Sequence, residues 1–180
     1  MNKVLIAYST WAGATHEVAN EIGRVFQANS FDVDVVVANE SKSIDIYDAI
    51  LLGTSIHAGQ TVKSFRQFIK QNIDTLIKKP TALFIVCANM MKDSETSREE
   101  TLAWLDRVIG KYDKFKPLSI GLFGGATLTT GDDFDNLNIF IRKTITAMNK
   151  KLVDEHGKSD FRNWEFIRSW TESVIKKIER

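Results

Sequence analysis

The chain has 180 residues, 43% of them apolar and 26% charged, with a formal net charge of +1. This composition is that of an ordinary folded domain; it excludes a disordered or collagen-like chain and gives nucleic acid no basic surface to bind. The lone cysteine, Cys87, excludes an internal disulfide and the multi-cysteine zinc sites.

No apolar run approaches the ~20 residues that span a bilayer, and no charged-then-apolar leader precedes Val4. The expectation is a single cytoplasmic domain with at most peripheral membrane contact. In chain order, Lys3-Val4-Leu5-Ile6-Ala7-Tyr8 reads as a short buried strand. Ser9-Thr10-Trp11-Ala12-Gly13-Ala14-Thr15 follows, small and hydroxylated apart from Trp11. Thr15, Val18, Ile22, Val25 and Phe26 then fall on one helical face. Residues 31–38, rich in valine, predict a second strand, and residues 48–54 a third. Val62, Phe65, Phe68, Ile69, Ile73 and Leu76 predict a helix over 61–76, ended by Lys79-Pro80. Residues 81–87 form a fourth apolar strand, 97–109 a helix, 117–124 a fifth strand and 134–148 a further helix. Trp164, Ile167, Trp170, Val174 and Ile178 make the stripe of a last helix. Five apolar strands separated by amphipathic helices predict an α/β three-layer sandwich, its parallel sheet covered on both faces.

The chemistry is concentrated at the first strand–loop–helix junction. Free N–H groups and the positive end of the helix dipole favour an anion there. Ser9, Thr10 and Thr15 add hydroxyl donors, and Gly13 lets backbone come close. The stretch is neither G-x-x-x-x-G-K-[ST] nor G-x-G-x-x-G, which excludes a nucleoside-triphosphatase loop and a dinucleotide fingerprint. Glu40 stands where a dinucleotide fold has its ribose-binding acid, but the glycines are absent. Neutral hydroxyls around one glycine suit a single buried phosphate monoester. The competing reading is a plain strand–turn–helix junction capped by Thr15.

Thr10-Trp11-Ala12-Gly13-Ala14-Thr15 resembles the FMN-phosphate loop of the flavodoxin family, T-x-T-G-x-T, with Ala12 where the middle Thr usually stands. Gly53-Thr54-Ser55-Ile56-His57-Ala58-Gly59, followed by Phe65 and Phe68, resembles the branch of that family which includes menaquinone-dependent protoporphyrinogen IX dehydrogenase. Asp160-Phe161-Arg162-Asn163-Trp164, followed by Ile167 and Trp170, is similar to that branch's closing signature. The resemblance covers nearly the whole chain. It implies a flavodoxin-like five-stranded parallel sheet of order 2-1-3-4-5, with FMN between the loops that follow the strands. Ser9, Thr10, Gly13, Ala14 and Thr15, with Trp11 and Ala12, would then hold the phosphate. Ser55, Ile56, His57, Ala58 and Gly59 from the second loop, and Asn89, Met90 and Met91 from the third, would border the ring. Gly124 and Gly125, after the fifth strand, complete the expected cofactor-binding set, and His57 is the candidate catalytic residue.

Two departures from the family pattern bear on function. The second and third loops carry no Phe, Tyr or Trp, whereas carrier flavodoxins usually sandwich the flavin with aromatics there. An open flavin face and a near-neutral charge favour an enzyme over a carrier. The fifth strand is followed by Gly124-Gly125-Ala126 and then Asp132-Asp133, where the dehydrogenase tends to have basic and aromatic residues. Two carboxylates there would repel the carboxylates of a porphyrinogen. The expected function is electron transfer through FMN to or from a small planar molecule, quinone or porphyrinogen-like. The alternative is a one-electron carrier between redox protein partners, and a third reading is a module that has lost its cofactor. His16, His57 and His156 are too scattered for a metal cluster, and Cys87 is expected to be a packed thiol.

Overall fold

The computed structural model describes residues 3–39 and 44–180, so Glu40 lies outside the described residues. The first strand, β1 (Lys3–Ser9), sits between β2 (Asp32–Val37) and β3 (Ala49–His57), and Ile6 is in register with Val35 on one side and Leu51 on the other. Beyond β3 come β5 (Thr81–Cys87) and β6 (Ile120–Gly124), both parallel to it. The path β2-β1-β3-β5-β6 is therefore the expected order of five parallel strands. A sixth, unexpected strand is β4 (Gln60–Thr61), which turns back against the end of β3. β3 runs on past the expected end at Thr54 through Ser55, Ile56 and His57. Ala58 and Gly59, at φ 48° and 71°, make the two-residue turn; positive φ at both positions suits the right-handed twist of a tight hairpin.

The alternation of β1 divides the core into two halves. Val4, Ile6 and Tyr8 point to α1 (Ala14–Ala28) and α6 (Trp164–Ile178). Leu5 and Ala7 point the other way, to a cluster that includes Phe65, Phe68 and Ile69 of α2 (Lys63–Leu76) and Leu105 of α3 (Glu95–Ile109). β5, with helices over both its faces, is buried at every position, as its unbroken apolar run requires. Each fully buried Leu, Ile or Phe here contributes about 1.5–3 kcal/mol, so Leu51→Ala in the central β3 costs about 2–5 kcal/mol. Trp170 lies in the first cluster, its indole N–H donating to Ser119 Oγ at 3.0 Å.

The helix expected over 134–148 is two helices, α4 (Asp132–Asp135) and α5 (Ile139–His156). Asn138 divides them, because its side chain accepts from the N–H groups of Phe140 and Ile141 and so starts a new helix. The expected strand over 117–124 is regular strand only from Ile120, although Leu118 N–H already donates to Thr81 O at 2.7 Å. α5 contributes to neither core cluster among the described residues, and Ile145 is its one buried side chain there. Its apolar stripe faces the ends of the strands instead.

Candidate functional site

At the carboxyl ends of the parallel strands, beside the point where strand order reverses, the fold leaves a cavity of about 350 Å³. The loop after β1 contributes Thr10, Trp11, Ala12, Ala14 and Thr15 to its wall, and the end of β3 contributes Ser55, Ile56 and His57. Val86, Cys87, Ala88 and Met91 come from β5 and the 3₁₀ turn (Ala88–Met91) that follows it. Gly125, Ala126 and Thr127 follow β6. α5 lines the far side with Ile145, Met148, Lys151, Leu152 and Glu155, and Ser159 and Phe161 complete the lining.

One end of the cavity presents groups that could hold an anion. Gly13, at φ 92°, is the N-cap of α1 and no side chain caps the helix, so Thr15 does not play the capping role of the plain-junction reading. Instead Thr15 is fully buried and its Oγ1 has no hydrogen-bond partner among the described residues. Ser55 Oγ, which lines the same cavity, is also without one. A buried unpaired hydroxyl costs about 1–3 kcal/mol, so two that share one cavity are residues awaiting a polar ligand. Together with the free amides of the first helical turn they fit a phosphate. An acid stands close by: Asp133 Cβ is 3.0 Å from where a Cβ on Gly13 would lie. Asp133 Oδ2 is 2.6 Å from His16 Nδ1, and His16 stacks on Tyr8 at a centroid distance of 4.9 Å.

The other end is aromatic and apolar. Trp11 and His57 stack with centroids 4.2 Å apart, and Phe161 lines the cavity as well. The loops after β3 and β5 are as poor in aromatics as expected, but the site is not, because its rings come from the loop after β1 and from the segment before α6. Burial pushes the Cys87 thiol above its ordinary range, against weaker help from nearby amides and Thr101, so it is neutral at pH 7 and packs as an apolar group.

Of the residues singled out from the sequence, Thr10, Trp11, Ala12, Ala14, Thr15, Ser55, Ile56, His57, Met91 and Gly125 meet in the lining. Ser9 is buried beneath it and accepts a hydrogen bond from Ser64 Oγ at 2.8 Å. Gly13 faces Asp133 and Leu128. Ala58 and Gly59 form the β3–β4 turn, against Trp104. Asn89 is engaged by Ser97 O and Thr101 Oγ1, at 3.0 and 3.1 Å. Met90 belongs to the core, and Gly124 lies under the backbone of Phe161. The α5 residues were not anticipated, although the spacing of Ile145, Met148 and Leu152 is that of a single helical stripe.

The model of the family described as flavodoxin domain matches residues 5–159. The chain belongs to this flavodoxin family. A curated relative from Leishmania major, protoporphyrinogen IX dehydrogenase [quinone], is 28% identical over 92% of this chain and 71% of its own length. Oxidised flavodoxin 2 from Bacillus cereus superposes with a TM-score of 0.59 at 17% identity, over 97% of this chain and 99% of that one. A Fusobacterium nucleatum flavodoxin variant bound to flavin mononucleotide gives a TM-score of 0.50 at 14% identity, over 98% of this chain and 97% of that one. At these identities the two structures speak for the fold alone. Family membership and the fitted anion end together support a flavin cofactor and a redox function for this flavodoxin-family chain. Among the described residues no helix is long and apolar enough to cross a membrane.

Proposed function

We propose that the chain binds FMN and is an oxidoreductase that moves electrons to or from a small planar molecule of quinone or porphyrinogen type. The observation that carries this reading is the pair of buried hydroxyls, Thr15 Oγ1 and Ser55 Oγ, which line one cavity and have no partner among the described residues. A phosphate monoester would accept from Thr15 Oγ1 and from the first-turn amides of α1, and Ser55 Oγ would offer a donor at the border of the ring. Thr10 stands beside them, its Oγ1 accepting from Gly13 N–H at 2.9 Å. Trp11, His57, Met91, Gly125 and Phe161 bound the space for the ring. FMN, when bound, supplies the redox chemistry, while the protein supplies orientation and electrostatics.

His57 is exposed, so its imidazole can exchange a proton with water while Trp11 holds the ring in place. Ile145, Met148 and Leu152 give the α5 side an apolar lining that suits an apolar, planar reactant. The Leishmania major relative, a protoporphyrinogen IX dehydrogenase [quinone], supports the same pair of substrate types. A cytoplasmic location and a small-molecule electron donor go with this reading. The test is a titration of flavin-free protein with FMN and with riboflavin. FMN is expected to bind more tightly by roughly tenfold or more, the scale of a charge-assisted hydrogen bond. Equal affinities would remove the phosphate from the site and overturn the proposal.

A further inference from the structure

Residues 159–162 lie along the segment that follows β6. Thr127 N–H donates to Ser159 O and Phe161 N–H to Gly125 O, both at 3.0 Å, and Ala126 and Asp160 form an antiparallel bridge between them. The Asn149 amide of α5 ties the two segments together, donating to Thr127 O and Ser159 Oγ at 2.8 Å each. The approach is close enough to demand glycine: a Cβ on Gly124 would lie 2.1 Å from Phe161 O. Arg162 faces α1 and holds Asp160, and Phe161 between them lines the cavity.

Arg162 is the most heavily engaged cation of this region. Its side chain is 3% exposed. Nε and one terminal nitrogen grip both oxygens of Asp160 at 2.9 and 2.6 Å, and the other terminal nitrogen donates to Glu17 at 2.6 Å. That same nitrogen lies 3.5 Å from Ala14 O, and the guanidinium covers the Trp164 ring at 4.6 Å. A buried guanidinium is tolerable only when it is paired this completely. Both α1 contacts are in the first turn, the turn that carries Thr15. One side chain thus joins the anion end of the cavity to the backbone that presents Phe161.

Resting on the FMN reading above, we propose that Arg162 is a positioning residue that seats Phe161 as the aromatic wall against the flavin ring. Phe161 is the group that meets the ligand; Arg162 acts through it. The planar, forked guanidinium is essential to this role, since a lysine carries the charge but cannot hold both oxygens of Asp160 and reach Glu17.

The experiment measures dissociation constants for FMN and riboflavin by flavin fluorescence, and the visible circular dichroism of bound flavin. The proteins are wild type, Arg162→Lys, Phe161→Leu and Phe161→Tyr, with far-UV spectra to check folding. Arg162→Lys and Phe161→Leu are expected to weaken FMN and riboflavin by the same factor, roughly three- to tenfold, the scale of one aromatic contact. Both should reduce the visible dichroism, and Phe161→Tyr should keep it. A loss confined to FMN would place Arg162's effect on the phosphate and overturn the proposal. Wild-type affinities in Arg162→Lys, with only thermal stability lowered, would make the residue structural and overturn it too. Unchanged affinities in Phe161→Leu would likewise overturn it. If the wild-type protein binds neither flavin, the FMN reading falls and this proposal falls with it; if wild type binds and the variants do not differ from it, only this proposal falls.

Discussion

Trp11 and His57 lie face to face at the edge of the cavity, their ring centroids 4.2 Å apart and their planes 22° from parallel. The stack joins the loop after β1 to the β3–β4 hairpin, two segments with no other ring pair between them among the described residues. Stacks of this kind contribute about 0.5–1.5 kcal/mol beyond the area they bury. His57→Ala is therefore expected to loosen FMN by less than about tenfold. The same variant should slow quinone-dependent turnover further, if the exposed imidazole handles a proton or contacts the acceptor. Steady-state turnover beside a flavin titration checks this; turnover unchanged within error would remove His57 from the chemistry.

Thr15→Val tests the unpaired hydroxyls by a pair of opposed effects. Removing a buried donor that has no partner should leave the flavin-free protein at least as stable as wild type, since the methyl replaces a group that costs free energy in place. The same change should weaken FMN by about 1–3 kcal/mol, the cost of a lost hydrogen bond to a charged group. Ser55→Ala should act in the same direction. Thermal melts of the flavin-free variants, with FMN and riboflavin titrations, separate the two effects.

Asp133 faces the Gly13 corner of the anion end, so its charge opposes a phosphate there. Asp133→Asn keeps an oxygen to accept from His16 while removing that charge. FMN binding should tighten by about 1 kcal/mol at low salt, an effect that shrinks as ionic strength rises. Gly13→Val should do the opposite: φ of 92° strains any side chain, and the added Cβ meets Asp133 at 3.0 Å. Titrations at two salt concentrations distinguish charge from sterics.

Asp160 has its carboxyl held below the usual value of 3.8: burial pushes it up, but the hydrogen bonds and charge of Arg162 outweigh that. A depressed folded-state value stabilises the protein above the unfolded value and loses that contribution as pH falls through the folded one. Asp160→Asn should thus lower Tm by a constant amount from about pH 7 to about pH 5, the difference shrinking below about pH 4. A gap that stays constant into strong acid would show that the ion pair contributes nothing.

Cys87, 4% exposed and with its thiol raised by burial, should resist iodoacetamide at pH 7 until the chain unfolds. Its alkylation rate should therefore follow denaturant-induced unfolding measured by circular dichroism. Rapid labelling of the native protein would show that the cavity admits solvent to β5.

How much of this was legible in the sequence follows from which interactions are local. Apolar runs such as 3–8 and 81–87 cannot be exposed, and the helical stripes between them have one face to bury, so the five-stranded parallel sheet was readable. The junction from Thr10 to Thr15 was readable too, because strand end, loop and helix start are contiguous and their backbone geometry is set within a few residues. Only the packed structure decided that Thr15 is an unpaired donor and not a cap, since that depends on Gly13 taking the N-cap position and on what surrounds the hydroxyl. Apolar spacing alone did not distinguish the end of β3 from a loop, because Ser55, Ile56 and His57 are held as strand by pairing with β4 and β5. The far wall of the cavity was decided in the same way. Ile145, Met148, Leu152 and Phe161 reach it from more than 130 residues beyond Thr10, through helix packing and the Arg162 clamp on α1, and no local pattern states where such long-range contacts close.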